Sequence, residues 1–354
     1  MGWEPKDTHI RMEAAVQQSV LVTGASGFIG GRLVRRLIEH YCRVFCLVRS
    51  NSRTEELRSA GAQLINGDVT DGASVVRSLA ESQAGTVFHL AGLVKARSRD
   101  AFMRVNAGGV EAVAAACADR AAPPVLVVVS SLAAAGPCGA AESRTEADIP
   151  APVSNYGRSK LAGEEAATRY AGAVPISIVR PPIVFGPGDR GVLEMFRPIA
   201  RWGLHVVPGR GRGRYSLLYV DDLVEGLLLV AEKGERVSAD ASPGGQGFYF
   251  FADEDRPTYR QLGQSIATAL GKKPPIVIRL PVPLARLVGL SGDVMGRIRR
   301  SPGWVNGDKI KEALAGSWTC SPAKARAHLG WRPGAALADR LRETAQWYRH
   351  AGWL

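Results

Sequence analysis

Cysteine is scarce in this 354-residue chain: Cys42, Cys46, Cys117, Cys138 and Cys320 make five, an odd and scattered set. No two stand at metal-ligand or redox spacing, which excludes a disulfide framework and a metal site and reads as buried reduced thiols in a cytoplasmic protein. No apolar run reaches the ~18 residues of a membrane span, which excludes an integral membrane segment. Residues 1–18 are polar and charged, lack the apolar centre of a signal peptide, and read as an N-terminal extension. Internal repeats and low-complexity tracts are also missing, so solenoid and disordered architectures drop out. Acidic residues are in deficit, 33 against 45 Lys and Arg, for a net charge of +12. The surplus is dispersed arginine without a basic helix of interleaved aromatics. It therefore suits an anionic cofactor rather than nucleic acid.

What is present begins with Val20-Leu21-Val22-Thr23-Gly24-Ala25-Ser26-Gly27-Phe28-Ile29-Gly30. An apolar run of strand length stops at three glycines spaced three apart, and the amphipathic positions Leu33, Val34, Leu37 and Ile38 follow. This spacing predicts a buried strand, a tight turn at Gly24, and a helix N-terminus. There Gly27 lets backbone approach a pyrophosphate and Gly30 lets helix pack on strand. Further apolar runs at 43–49, 62–68, 85–92, 124–131 and 174–180 alternate with helical stretches, notably 73–82, 100–120 and 155–172. That rhythm predicts an α/β fold, a doubly wound parallel sheet of Rossmann type with the cofactor at the carboxyl ends of the strands. After residue 180 the rhythm breaks, although residues 247–251 form another strand that rejoins the sheet. The reading is a dinucleotide-binding domain over 19–185 with 215–254 returning to it. A smaller, mostly helical substrate-binding domain takes 186–214 and 255–354. Leu280 to Leu290 is unusually apolar and is expected to be a buried helix over the substrate cleft, with membrane contact as the alternative.

Ser131 ends a strand, and Tyr156 and Lys160 stand four apart on one helix face. A phenol with a pKa of ~10 is a poor base near neutrality. A nearby ammonium favours the phenolate, so Tyr156 can exchange a proton with a hydroxyl or carbonyl while hydride moves to or from a nicotinamide. Ser131 would hold the same oxygen as charge develops. Arg49 ends the second strand, 19 residues after Gly30. An arginine there suits the 2′-phosphate of NADP, with Ser50 and Arg53 assisting, and NAD is not excluded.

These motifs resemble the extended short-chain dehydrogenase/reductases, also called the NAD-dependent epimerase/dehydratase family. The matches are residues 23–30, Gly67-Asp68, His89-Leu90-Ala91-Gly92, Asn106, Ser130-Ser131, Tyr156-Gly157-Arg158-Ser159-Lys160, Arg180-Pro181-Pro182 through Gly186-Pro187-Gly188-Asp189, and Tyr219-Val220-Asp221-Asp222. The resemblance implies that Gly24, Ser26, Gly27, Phe28, Ile29 and Gly30 hold the cofactor. It implies adenine contacts from Asp68 and Val69, a cleft lined by Leu90, Ala91 and Gly92, and cofactor contacts at Pro182 and Ile183. Asn106, in a helix, would relay protons through water to Lys160. Asp222 is expected to cap its helix, His89 to be structural, and helices 100–120 and 155–172 to meet in a homodimer.

Departures from the family patterns bear on the reaction. Leu132 and Ala133 stand where dehydratases resemble one another in carrying Asp-Glu, and Ile183 and Tyr215 replace residues that hold a sugar-nucleotide diphosphate. This favours a small hydrophobic alcohol or ketone, as in the branch resembling hydroxysteroid dehydrogenases and dihydroflavonol reductases. A nucleotide-sugar 4-epimerase is the alternative, kept open by Arg210, Arg212 and Arg214. A non-catalytic cofactor-binding assembly subunit is a second alternative, weakened by the presence of both Tyr156 and Lys160.

Overall fold

A computed structural model describes residues 19–40, 43–209, 211–239, 245–298 and 306–354, and the side chains of 293–298 are not described. The N-terminal extension, Cys42 and Arg210 lie outside the described residues. The first half alternates as read. In chain order, β1 (Ser19–Thr23), α1 (Phe28–His40), β2 (Arg43–Val48), α2 (Glu55–Ser59), β3 (Gln63–Asn66), α3 (Gly72–Ser82) and β4 (Thr86–His89) come first. Then follow α4 (Arg99–Phe102), a π-helical segment (Met103–Ala107), α5 (Gly108–Ala118), β5 (Val125–Val129), α6 (Leu132–Ala135), α7 (Asn155–Thr168) and β6 (Ile176–Val179). The second half supplies β7 (Ile183–Phe185), α8 (Leu193–Trp202), β8 (Leu204–Pro208), β9 (Leu217–Tyr219), α9 (Val220–Lys233) and β10 (Phe248–Tyr249). It closes with α10 (Tyr259–Ala269), β11 (Ile276–Leu280), α11 (Val282–Ile298), α12 (Gly307–Leu314), α13 (Ala323–Leu329) and α14 (Leu337–His350).

Seven strands form one parallel sheet in the order β10-β6-β5-β4-β1-β2-β3. Side chains alternate across it with the two-residue period of a strand. Val20, Val22, Val127 and Val129 face α1 and α9 with Leu33, Leu37, Leu223 and Leu227. Leu21, Val87, Leu126 and Val128 face α3 and α5 with Leu79, Val110 and Val113. Strand order reverses between β1 and β4, and the crevice above their carboxyl ends is where such a sheet takes a dinucleotide. The expected strand at 247–251 is β10, paired parallel to β6.

A second core, with Phe185, Phe196, Ile266, Leu341 and Tyr348, lies among α8, α10 and α14. Two small parallel pairs serve it, β7 with β9 and β8 with β11. The end of the chain returns to the sheet: Trp331 stacks edge-on to Phe251 at 5.0 Å and donates its indole N–H to the carbonyl of Asp222 at 2.9 Å.

Four expectations change. The helix read over 100–120 is interrupted by the π-helical segment, the commonest way for a helix to absorb one extra residue. The helix from 155 ends at Thr168. Cys138 is half-buried, whereas Cys46, Cys117 and Cys320 are buried as expected. The apolar stretch 280–290 forms the end of β11 and the start of α11, but Leu284, Leu287 and Leu290 are exposed and Leu280 is half-buried; Ala285 and Gly289 turn inward, Gly289 against Ile310 of α12.

Candidate active site

The glycine turn explains its own composition. Gly24 has φ +73°, and a Cβ there would stand 2.6 Å from the backbone of Leu90 and Ala91, so the turn and the end of β4 touch backbone to backbone. A Cβ on Gly30 would stand 2.2 Å from the Gly24 carbonyl, whereas one on Gly27 would meet only that same oxygen, at 3.2 Å. Gly24 and Gly30 are therefore held by packing, and Gly27 keeps the mouth of α1 open. A pyrophosphate fits this cradle: α1 begins at Phe28 and Ile29 with its N–H groups and positive dipole end towards it. Ser26 is exposed beside the turn.

The other expected cofactor residues ring the same crevice. Asp68, just past β3, has its Oδ1 fixed by the backbone N–H and hydroxyl of Thr70, both at 2.9 Å. Val69 is buried against Gly109 of α5. Arg49 and Arg53 are exposed at the end of β2, and neither is paired among the described residues. Pro182 and Ile183 reach the site because the Pro181 carbonyl accepts the N–H of Leu132 at 2.8 Å, tying the exits of β5 and β6 together.

Ser131 caps α6, accepting the N–H of Ala133 at 3.1 Å. Its hydroxyl also lies within reach of the Tyr156 phenol. Burial raises the pKa of that phenol, and Ser131 and Lys309 pull it back down. Lys160 is buried and donates to the Val129 carbonyl at 2.7 Å. Burial lowers its pKa to about 8, against the opposing pull of Glu164. A Cβ on Gly92 would stand 3.1 Å from the Asn106 amide oxygen and 3.5 Å from the Lys160 ammonium, so β4, the π segment and α7 converge on that glycine. Asn106 spans the gap: its oxygen accepts the Leu93 N–H at 2.7 Å, and its amide donates to the Leu93 carbonyl at 3.0 Å and to Ser159 Oγ at 2.9 Å. His89 Nδ1 meets Thr23 Oγ1 at 2.9 Å, and burial, with Lys160 nearby, drives its pKa down to about 3, so the ring is a neutral strut.

Residues 20–241 match the NAD dependent epimerase/dehydratase family. The chain belongs to that family. It is 32% identical to the ceramide reductase of Caulobacter vibrioides over 95% of its own length and 96% of that protein's. It is 27% identical to the mouse sterol-4-alpha-carboxylate 3-dehydrogenase, decarboxylating, over 97% and 94% of the two chains. Among solved structures it is similar to the UDP-glucose 4-epimerase of Thermotoga maritima, with a TM-score of 0.73, 24% identity, and coverage of 94% of this chain and 99% of the other. This member of the epimerase/dehydratase family is thus a nicotinamide-dependent oxidoreductase.

Three site residues lie beyond the matched segment. Asp308, on α12, accepts the N–H of Asn155 at 2.9 Å and of Tyr156 at 3.1 Å, which caps α7 with a carboxylate. Glu312 accepts the hydroxyl of Ser154, the N-cap of α7, at 2.6 Å. Lys309 stands 5.0 Å from the centre of the Tyr156 ring and pairs with Glu312 at 2.7 Å. The cation acting on the phenol is thus Lys309 as well as any charge the cofactor brings. Nothing local in Gly307-Asp308-Lys309 marks it as a partner of a tyrosine 153 residues earlier. Glu164, also missed, forms a buried bidentate pair with Arg180 (2.9 and 2.6 Å) and accepts the Ser130 hydroxyl, bracing α7 against the ends of β5 and β6.

Two expected residues serve elsewhere. Tyr215 is buried edge-on to Tyr259 at 5.6 Å, so it belongs to the second core and not to the cleft. Asp222 does not cap α9; it accepts the Gly334 N–H at 3.0 Å and pairs with Arg340 at 3.2 Å, pinning the C-terminal segment. Arg212 and Arg214 line a cavity of about 600 Å³ with Arg260 and Arg279, two arginines that sequence distance hid.

Proposed function

We propose that this oxidoreductase transfers hydride between NADP and a secondary alcohol or ketone of a small hydrophobic substrate, with Ser131, Tyr156 and Lys160 as its catalytic set, in the cytoplasm. The observation that carries the reading is the convergence of Lys160 and Asn106 on Gly92, next to the Leu90–Ala91 backbone that touches Gly24, with Tyr156 one turn before Lys160 on α7. A bound nicotinamide supplies or accepts the hydride. The chain's own residues handle the proton: Tyr156 gives it to, or takes it from, the substrate oxygen, and Ser131 holds that oxygen. Lys160 would hold the ribose end of the cofactor, Gly24 to Gly30 its pyrophosphate, Asp68 and Val69 its adenine, and Arg49 the 2′-phosphate.

A hydrophobic substrate is supported by what surrounds the phenol. Phe102 lies 6.0 Å away ring to ring. The names of the ceramide reductase and the sterol dehydrogenase point to substrates of that character. Residues 186–214 and 255–354 form the substrate-binding part. A homodimer belongs to the same reading, through the outer faces of α5 and α7, where Ala112, Ala115, Leu161 and Ala162 stand half-buried.

One observation favours the 4-epimerase instead: the cavity lined by four arginines offers partners for a diphosphate. A single experiment separates the two. Purified protein is supplied with NADPH or NADH and a panel of long-chain keto-lipids, keto-steroids and UDP- or dTDP-sugars. Oxidation of NADPH in preference to NADH with an apolar ketone is expected, and Tyr156→Phe should lower it ~100- to 10,000-fold with NADPH binding intact. Interconversion of a nucleotide sugar without net cofactor consumption would replace this reading by the epimerase.

A further inference from the structure

A helix on a protein surface normally turns its polar side to water. The first half of α11 does the reverse. Its inward residues are the small Ala285 and Gly289, and a Cβ on Gly289 would stand 3.0 Å from Ile310 of α12. At 100° per residue the direction opposite these two is centred on Leu287, with Leu284 and Leu290 on either side. These three are 60%, 46% and 61% exposed, and Val282 and Val288 are exposed as well. The strand that feeds the helix carries Ile276 and Ile278 exposed on one face, with only Pro281 between strand and helix.

The stretch that builds this face is basic, and the first carboxylate along α11 is Asp293. From Arg256 to Gly292 the chain holds no Asp or Glu and six cations, Arg256, Arg260, Lys272, Lys273, Arg279 and Arg286. Lys272 donates to the Ala200 carbonyl, which sets it beside the exposed Trp202 at the end of α8. A second protein of mixed surface charge matches such a rim poorly. An anionic bilayer matches both parts: headgroups take the cations, and the acyl boundary takes the leucines and the indole. No described helix is long and apolar enough to cross a membrane, and α11 has 17 residues, so the geometry is that of a helix lying on the surface.

We propose that the outer face of α11, centred on Leu287, docks this protein on an anionic membrane surface. The consequence for the site is direct. α11 rests on α12, and α12 carries Lys309 onto the ring of Tyr156, so the docked face is one helix away from the catalytic tyrosine. Docking itself does not depend on the proposed reaction and is read out without turnover.

The full-length protein is floated with vesicles of equal parts phosphatidylglycerol and phosphatidylcholine, and with phosphatidylcholine alone. Binding to the anionic vesicles should exceed binding to the neutral ones by roughly tenfold or more and fall steeply with salt. Leu287→Glu with Leu290→Glu should cut it by a further roughly tenfold, while Lys272→Glu with Lys273→Glu should weaken it less and flatten the salt dependence. Unchanged NADPH binding and an unchanged solution mass accompany these losses. Binding that is equal on both vesicles, or untouched by the leucine changes, overturns the proposal. So does a change of oligomeric mass in Leu287→Glu, which would make the face a contact between copies, or a large loss of thermal stability, which would make it a face covered by this chain's own residues.

Discussion

At the scale of single residues, the site depends on which charges the Tyr156 phenol meets. Burial opposes its ionisation, and the ammonium of Lys309 over the ring, held there by Glu312, favours it. Burial also acts against the Lys309 charge, but Glu312, Tyr156 and Asp308 outweigh it and raise its pKa. A cation over an aromatic ring is worth roughly 0.5–2 kcal/mol, and one pKa unit is about 1.4 kcal/mol. On the proposed mechanism, Tyr156 loses its proton before it acts in alcohol oxidation, so the rate should rise with pH through its pKa. Lys309→Met should therefore move that ascending limb upward by roughly half to one unit, and Lys309→Arg should leave it in place. An unmoved limb in Lys309→Met would make the contact mere packing. The cations near the phenol differ in how readable they were. Tyr156 and Lys160 share one helix turn and announce themselves, whereas Lys309 reaches the phenol only through the folding back of the chain.

At the scale of elements, α7 is positioned by close approach on one side and by capping at its end. Gly163 lets it press on the π segment: a Cβ there would stand 2.4 Å from the Asn106 carbonyl and 3.3 Å from Val110. Both neighbours are fixed, one being backbone that also carries the Asn106 side chain. Gly163→Ala should destabilise the protein by ~1–3 kcal/mol, since overpacking moves backbone. Gly72, in the first turn of α3, has nothing within 4 Å of its would-be Cβ, so Gly72→Ala should be neutral or stabilise by ~0.4–1 kcal/mol. Urea midpoints of the two variants decide between packing and propensity, and a neutral Gly163→Ala would mean that α7 can shift freely. Elements were legible where period and motif agreed, as in the strands of the main sheet. They were not where the partner was remote. β8 and β11 are single short runs whose pairing joins residues about seventy positions apart, and the π segment has no local signal beyond Asn106 itself.

At the scale of the whole molecule, buried ionisable groups set how stability depends on pH. Burial raises the thiols of Cys46, Cys117 and Cys320 to about 12, against about 8.5 in an unfolded chain. Above pH 8.5 the unfolded chain therefore holds fewer protons at these sites, and each thiol removes roughly 1.4 kcal/mol of stability per pH unit. Lys160 acts with the opposite sign. It releases its proton at about 8 when folded and near 10.4 when unfolded, so stability rises with pH between those values by a similar amount. Three thiols outweigh one lysine. Under reducing conditions stability should fall from pH 8.5 to 10, and Lys160→Met should steepen the fall; urea titrations at half-unit steps measure both. A flat profile would mean that the thiols are not held in a dry interior. The fold of this half of the molecule and its cofactor cleft were readable because their motifs lie in order between residues 20 and 222. The helices that finish the site were not, because α12 is bound to α7 through contacts that no local pattern encodes. That binding carries a consequence for synthesis. A chain emerging from the ribosome has every residue of the glycine cradle after its first third, yet the N–H groups of Asn155 and Tyr156 wait for Asp308 to appear. The cap on α7, and with it Lys309 over the Tyr156 ring, can therefore form only once the last fifty residues are made.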